Sequence, residues 1–179
     1  MASGGELMGL PPIRPAKEGD LPALQDVERS AGELFAEIGM DFVAEDAPPT
    51  IEVLRGFAAD GRAWVSTDRD DRPVAYLLVE IVDGNAHLDQ VSVARGYAGR
   101  GIGRALLEHL IEWAQARRLP AVTLTTYVVV PWNGPYYERL GFRYLRPAEE
   151  TPGLRKIRAD EVAYGLDRSP RACMRKEVC

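Results

Sequence analysis

The residues with the clearest chemistry are Gly99-Arg100-Gly101-Ile102-Gly103-Arg104. Ahead of them, His87-Leu88-Asp89-Gln90-Val91-Ser92-Val93 alternates apolar and polar residues, the pattern of a strand. Behind them, Ile102, Leu106, Leu110 and Trp113 recur at helical spacing. The glycines therefore stand where a strand hands over to a helix. Glycine permits positive φ and lets a ligand approach the backbone without a Cβ in the way. The helix start adds unpaired N–H groups and the positive end of its dipole. Arg100 and Arg104 add side-chain charge, so the pattern suits a phosphate group. A dinucleotide fingerprint would need Gly or Ala where Arg104 or Leu106 stands, and a phosphate loop of the Gly-Lys-Ser/Thr type needs a lysine that is absent. A tight turn without a ligand is the alternative.

Two further features join the loop. Asn133 follows the β-rich run Val122–Tyr127 after Pro131-Trp132, and Tyr137-Glu138-Arg139-Leu140-Gly141-Phe142 begins four residues later. Together these resemble the GNAT-type N-acetyltransferases. The loop matches their Arg/Gln-x-x-Gly-x-Gly/Ala pattern over Ala98–Gly103, with Ala98 as the departure, and the later segment matches their Tyr-x-x-x-Gly-Phe signature. The resemblance is strongest over residues 87–145 and is similar to a small bacterial branch of the family.

That resemblance implies direct transfer of an acetyl group from acetyl-CoA, with no metal, to a primary amine. Gly99, Arg100, Gly101, Ile102, Gly103 and Arg104 would hold the pyrophosphate. Val91 and Val93 would offer backbone groups to the pantetheine arm, in a slot where their strand splays from the Val122–Tyr127 strand. Asn133 would bond to the arm. Pro131, having no N–H, suits a place where pairing stops. Tyr137 would protonate the leaving thiolate, a reasonable donor with a phenol of pKa ~10 against a thiol of ~8.5. His87 and Asp89 lie two apart on one strand and so share a face; either is a candidate base, directly or through water. A cross-strand polar pair is the plainer reading of those two.

The segment Glu28–Asp46 carries Glu28, Glu33, Glu37, Asp41, Glu45 and Asp46 against Arg29, with Phe35 and Phe42 interleaved. In the family this region faces the acceptor, and acids with aromatics suit a cationic amine. Glu28, Phe35, Asp46 and, on the later strand, Thr126 are the expected acceptor contacts. A solvated helix face is the plainer reading. The expected acceptor is a small molecule; a protein lysine or N-terminal amine, and a non-catalytic acyl-CoA-binding module, stay open as alternatives.

Composition agrees with one soluble domain. The 179 residues are 46% hydrophobic and 27% charged, with net charge −5, which excludes a broad basic surface for nucleic acid or an anionic membrane. Cys173 and Cys179 give no disulfide framework or metal spacing, which fits a cytoplasmic setting. No apolar run approaches the ~20 residues that span a bilayer. Residues 1–12 read as a flexible tail and 13–179 as a single domain, and the family resemblance implies a homodimer.

The element pattern is α/β, with a mixed, mostly antiparallel sheet flanked by helices. Strands are expected at Ile13–Pro15, Ala63–Ser66, Pro73–Val82, Ala86–Val93, Val122–Tyr127, Phe142–Leu145 and Arg171–Val178. Helices are expected from a cap at Asp20 to about Phe35, at Thr50–Ala59, Gly101–Arg118 and Pro135–Leu140, and from a Thr151 cap to Gly165. Asp83-Gly84 marks a hairpin.

Overall fold

Asp83 and Gly84 both take positive φ (49° and 78°), the conformation that a two-residue hairpin requires, and the two longest strands meet there. The structure, a computed structural model, describes residues 9–179; the start of the expected tail, residues 1–8, lies outside the described residues. In chain order the elements are β1 (Ile13–Pro15), α1 (Leu21–Ala36), α2 (Asp41–Ala44), α3 (Ile51–Ala59), β2 (Ala63–Thr67), β3 (Pro73–Val82) and β4 (Asn85–Val93). They continue with α4 (Ile102–Ala116), β5 (Ala121–Tyr127), α5 (Gly134–Arg139), β6 (Arg143–Tyr144), α6 (Pro152–Tyr164) and β7 (Arg171–Glu177).

The strands run in the order β1-β2-β3-β4-β5-β7-β6. Pairing is antiparallel for β1 with β2, β5 with β7 and β6 with β7, and parallel for β4 with β5. The mixed, mostly antiparallel sheet expected from the sequence is therefore present. The chain divides into two compact units: one runs up to Tyr76 and includes Val91–Leu107, and the other takes Leu77–Gln90 and Glu108–Cys179.

In the first unit, α1 turns Leu21, Leu24 and Val27 inward, and α3 adds Leu54 and Phe57. These bury against α1–α3 and α3–β2 contacts, and each fully buried side chain contributes roughly 1.5–3 kcal/mol by transfer from water. Thr50 caps α3 as expected, its Oγ1 accepting the Val53 N–H at 3.2 Å, a device that contributes about 1 kcal/mol. Asp20 precedes α1 but does not cap it. Its carboxylate instead accepts from Arg14 (2.7 and 3.0 Å) and from the Lys17 N–H (2.7 Å). A bidentate guanidinium outcompetes a lone helix N–H for the same oxygens.

In the second unit, β5 and β7 pair along their whole length, from Ala121 with Glu177 to Tyr127 with Arg171. Leu145, Leu154 and Cys173 form a buried cluster, joined by Ile157. The expected Thr151 side-chain cap of α6 is also absent. Asp83, from the hairpin, takes its place, its carboxylate accepting the Gly153 N–H at 2.8 Å. Gly165, at φ 94°, closes α6 in the left-handed conformation.

Candidate functional site

The glycine loop lies in the first unit, and its backbone follows from its residues. After a short turn at Arg95–Tyr97, Ala98 is extended, Gly99 takes φ 75° and Gly101 takes φ 81°. Non-glycine residues rarely adopt those values. Among the described residues, a Cβ at Gly99 would meet nothing within 4 Å. At Gly101 it would meet the Leu10 Cδ2, at 3.6 Å. The first intrahelical bond of α4 runs from the Ala105 N–H to the Gly101 carbonyl (3.0 Å). The N–H groups of Ile102, Gly103 and Arg104 precede it, at the positive end of a 15-residue helix. Arg100 lies over the Tyr97 ring (5.0 Å to the centroid), and Arg100 and Arg104 are both exposed. An exposed loop at a helix N-terminus, with two arginines beside it, fits an anionic ligand.

The same unit holds Val91, Val93, Glu28, Phe35 and Asp46. Val91 and Val93 are half-buried at the end of β4, flanking the buried Ser92. The half-buried Glu28 carboxylate accepts two hydroxyls through Oε2, Tyr76 at 2.7 Å and Ser92 at 2.5 Å. Phe35 is half-buried near the end of α1 and Asp46 is exposed after α2. Arg95 ties this region down: its N–H donates to Ser30 Oγ (2.9 Å), and its guanidinium pairs with Glu33 (3.6 Å) and Glu37. Tyr76 and Ser92 escaped the sequence reading. The signal for Ser92 was a lone hydroxyl between two valines on a strand.

The second unit holds His87, Asp89, Thr126, Asn133 and Tyr137. His87 is buried, 3% exposed, with Nδ1 2.9 Å from Thr123 Oγ1, and burial pushes its pKa down to about 4. Asp89, two residues on, is exposed. Thr126 is buried opposite Ala172 of β7. Asn133 precedes α5, and its carbonyl accepts the Tyr137 N–H at 3.0 Å. Its buried Oδ1 has no hydrogen-bond partner among the described residues, while Nδ2 makes a long 3.3 Å bond to the Trp132 carbonyl. A buried acceptor left in that condition costs free energy and fits a ligand amide. The Tyr137 ring sits edge-on between Tyr136 (5.6 Å) and Phe142 (5.7 Å). Burial, and then Tyr136, push its phenol above the ordinary range, so it stays protonated. Among the described residues no group of His, Cys, Asp and Glu could hold a metal, and no helix is long and apolar enough to cross a membrane.

The sequence model of the acetyltransferase (GNAT) family matches residues 30–142. The chain belongs to that family. Its defining chemistry is acyl transfer from acetyl-CoA, and the family expected from the glycine loop and the Tyr-x-x-x-Gly-Phe segment is thereby borne out. Over 104 residues the chain is 25% identical to the peptidyl-lysine N-acetyltransferase YjaB of Escherichia coli (strain K12), covering 58% of this chain and 65% of that relative. Over 73 residues it is 34% identical to the ribosomal protein bS18-alanine N-acetyltransferase of Salmonella typhimurium, covering 41% of this chain and 49% of that relative. The chain thus spans only about half to two thirds of the length of these curated relatives. In fold it is similar to the PaiA N-acetyltransferase from Thermoplasma acidophilum, solved in complex with coenzyme A. That likeness has a TM-score of 0.68 at 17% identity and covers 93% of this chain and 98% of that one.

Proposed function

We propose that this GNAT-family chain transfers the acetyl group of acetyl-CoA to a primary amine carried by a small cationic molecule. The observation that carries the reading is the loop at Gly99–Arg104, with its two positive-φ glycines at the head of α4. Its N–H groups and arginines suit a pyrophosphate. The orphaned Asn133 Oδ1 supports a bond to an amide N–H of the pantetheine arm. Backbone groups of Val91 and Val93 are assigned to the same arm, where an N–H would stabilise the thioester oxygen as its negative charge develops. Tyr137, whose place the Tyr-x-x-x-Gly-Phe segment fixes, is assigned the proton that goes to the departing thiolate.

The acceptor is assigned from the acidic character of the α1–α2 region. Glu33 and Glu37 pair with Arg95 there, while Asp41, Glu45 and Asp46 stand exposed around α2, with Phe35 and Phe42 half-buried nearby in sequence. A second reading has its own support: the two curated relatives are named for a peptidyl lysine and for the alanine of a ribosomal protein. A peptide amine therefore belongs in the first acceptor panel. Thiol release from acetyl-CoA is measured with 1,4-diaminobutane, an alanine-terminated peptide and a lysine-containing, N-terminally blocked peptide. Turnover with the diamine above both peptides supports the small-molecule reading. Turnover only with a peptide replaces it by the second, and no amine-dependent release with any acceptor removes both.

A further inference from the structure

Glu28 was assigned above only as an acceptor contact. We infer that it is the general base of the reaction, held in position by Ser92 and Tyr76; this rests on the acetyl-transfer reading. Both hydroxyls donate to one oxygen, Oε2, at 2.5 and 2.7 Å. Two such bonds fix the plane of a carboxylate that would otherwise swing on a flexible stem. Tyr76 is fully buried and Ser92 nearly so, which makes the clamp rigid. Ser92 stands between Val91 and Val93, whose backbone is assigned to the acyl arm. The carboxylate is therefore one side chain away from the strand residues that would carry the thioester. The Arg95 contacts to Ser30, Glu33 and Glu37 fasten α1 to the segment just ahead of the glycine loop, which keeps Glu28 in register with that strand.

The two residues first considered for this role are placed less well. His87 is buried against Thr123, and Asp89 is exposed.

The proton balance sets when Glu28 acts. A free carboxylate and a free alkylammonium differ by about 6 pKa units, so ground-state removal of the ammonium proton is disfavoured by roughly a millionfold. The nitrogen becomes acidic only as it bonds to carbon. The neutral amine attacks the thioester carbonyl, the C–N bond forms, and one N–H proton passes to Glu28. The C–S bond then breaks, sulfur leaves with the electron pair, and it is protonated by the acid assigned to Tyr137. Glu28 returns its proton to solvent, and solvent reprotonates the acid.

The test uses the full chain, acetyl-CoA and whichever panel amine turns over fastest. E28Q keeps the shape and an oxygen that can accept from Ser92 and Tyr76, but cannot take the proton. It is expected to lower kcat/KM for the amine about 10²–10⁴-fold and to keep the wild-type thermal shift with acetyl-CoA. Y76F and S92A, the positioning variants, are expected to lower kcat about 10-fold with little change in the acetyl-CoA shift. Added to E28Q, they should cause no further loss. E28Q within twofold of an active wild type overturns the role. Should E28Q fail to fold, S92A decides: an unchanged kcat overturns it equally. A wild type inactive with every amine is a different result, because it removes the parent reading and the base with it.

Discussion

The imidazole Nδ1 of His87 lies 2.9 Å from the hydroxyl of Thr123, directly across the parallel pairing of β4 with β5. Burial is the larger influence on this ring and lowers its pKa to about 4, while the Glu161 charge pulls the other way. The folded state therefore keeps His87 neutral at pH values where an unfolded histidine, near 6.5, is already charged. Between those two values the unfolded chain binds more protons, so stability falls as pH falls. The His87 contribution is complete above about pH 6.5 and is lost progressively down to about pH 4, on the order of 3 kcal/mol in all. Denaturant unfolding from pH 7.5 to 4.5 should show this slope, and His87→Gln should be flatter across the same range. An equal slope in the variant would place the titration elsewhere.

The turn at Asp83 and the start of α6 meet so closely that a single methyl group is decisive. A Cβ at Gly153 would fall 2.6 Å from both Asp83 Oδ2 and Val82 Cγ1. Gly153→Ala should destabilise the chain by about 1–3 kcal/mol through overpacking. Gly56, exposed within α3, has nothing within 4 Å of the same position. Gly56→Ala should stabilise by about 0.5–1 kcal/mol, because only helix propensity changes. Chemical denaturation of the two variants beside wild type checks both signs at once.

Glu161 joins three elements of the second unit. It accepts from Arg171 (2.7 Å), Thr125 (2.8 Å) and Arg158 (3.0 Å), and Arg158 also forks onto Asp167 at 2.7 and 2.9 Å. Its side chain is 12% exposed and that of Arg171 11%. Removing one partner from such a group leaves a mostly buried charge uncompensated, so Glu161→Ala should cost about 3 kcal/mol or more. The helical pair Lys156–Asp160 is a control, being 78% and 66% exposed. Lys156→Ala should leave stability nearly unchanged, because solvent screens an exposed pair. Equal effects in the two variants would contradict this reading of the network.

Several of these relationships were not visible in the chain, for identifiable reasons. Local signals placed α4, because Ile102, Leu106 and Leu110 make one buried stripe, and placed the hairpin, because Asp83-Gly84 takes the positive φ that its turn demands. The glycine loop was legible because its conformation is written in residue type. The clamp on Glu28 was not, since its partners lie 48 and 64 residues away and nothing local marks them as neighbours. The same cause misled the cap assignments. Asp20 and Thr151 have the residue types of caps, but Arg14 takes the first and Asp83 stands in for the second. Tertiary partners decide such cases, and periodicity carries no information about them.

Tyr137→Phe separates the two uses of that residue. The ring keeps its edge contacts to Tyr136 and Phe142, so folding should change little. Without the phenol, turnover should fall about 10²-fold or more, while the acetyl-CoA concentration for half-saturation stays near wild type. Steady-state kinetics on the best panel amine distinguish this from a packing role, for which turnover would be unchanged.

Binding of acetyl-CoA is the claim on which the others depend, and thermal unfolding with and without it tests that claim most directly. At ~100 times the dissociation constant the ligand adds ~2.7 kcal/mol, which for a chain of this size raises Tm by several degrees. Wild type should show that rise with acetyl-CoA and none with NAD. Arg100→Glu, which reverses an exposed charge beside the loop without touching a positive-φ position, should need markedly more ligand for the same rise. No shift in wild type at millimolar acetyl-CoA would contradict the account at its root.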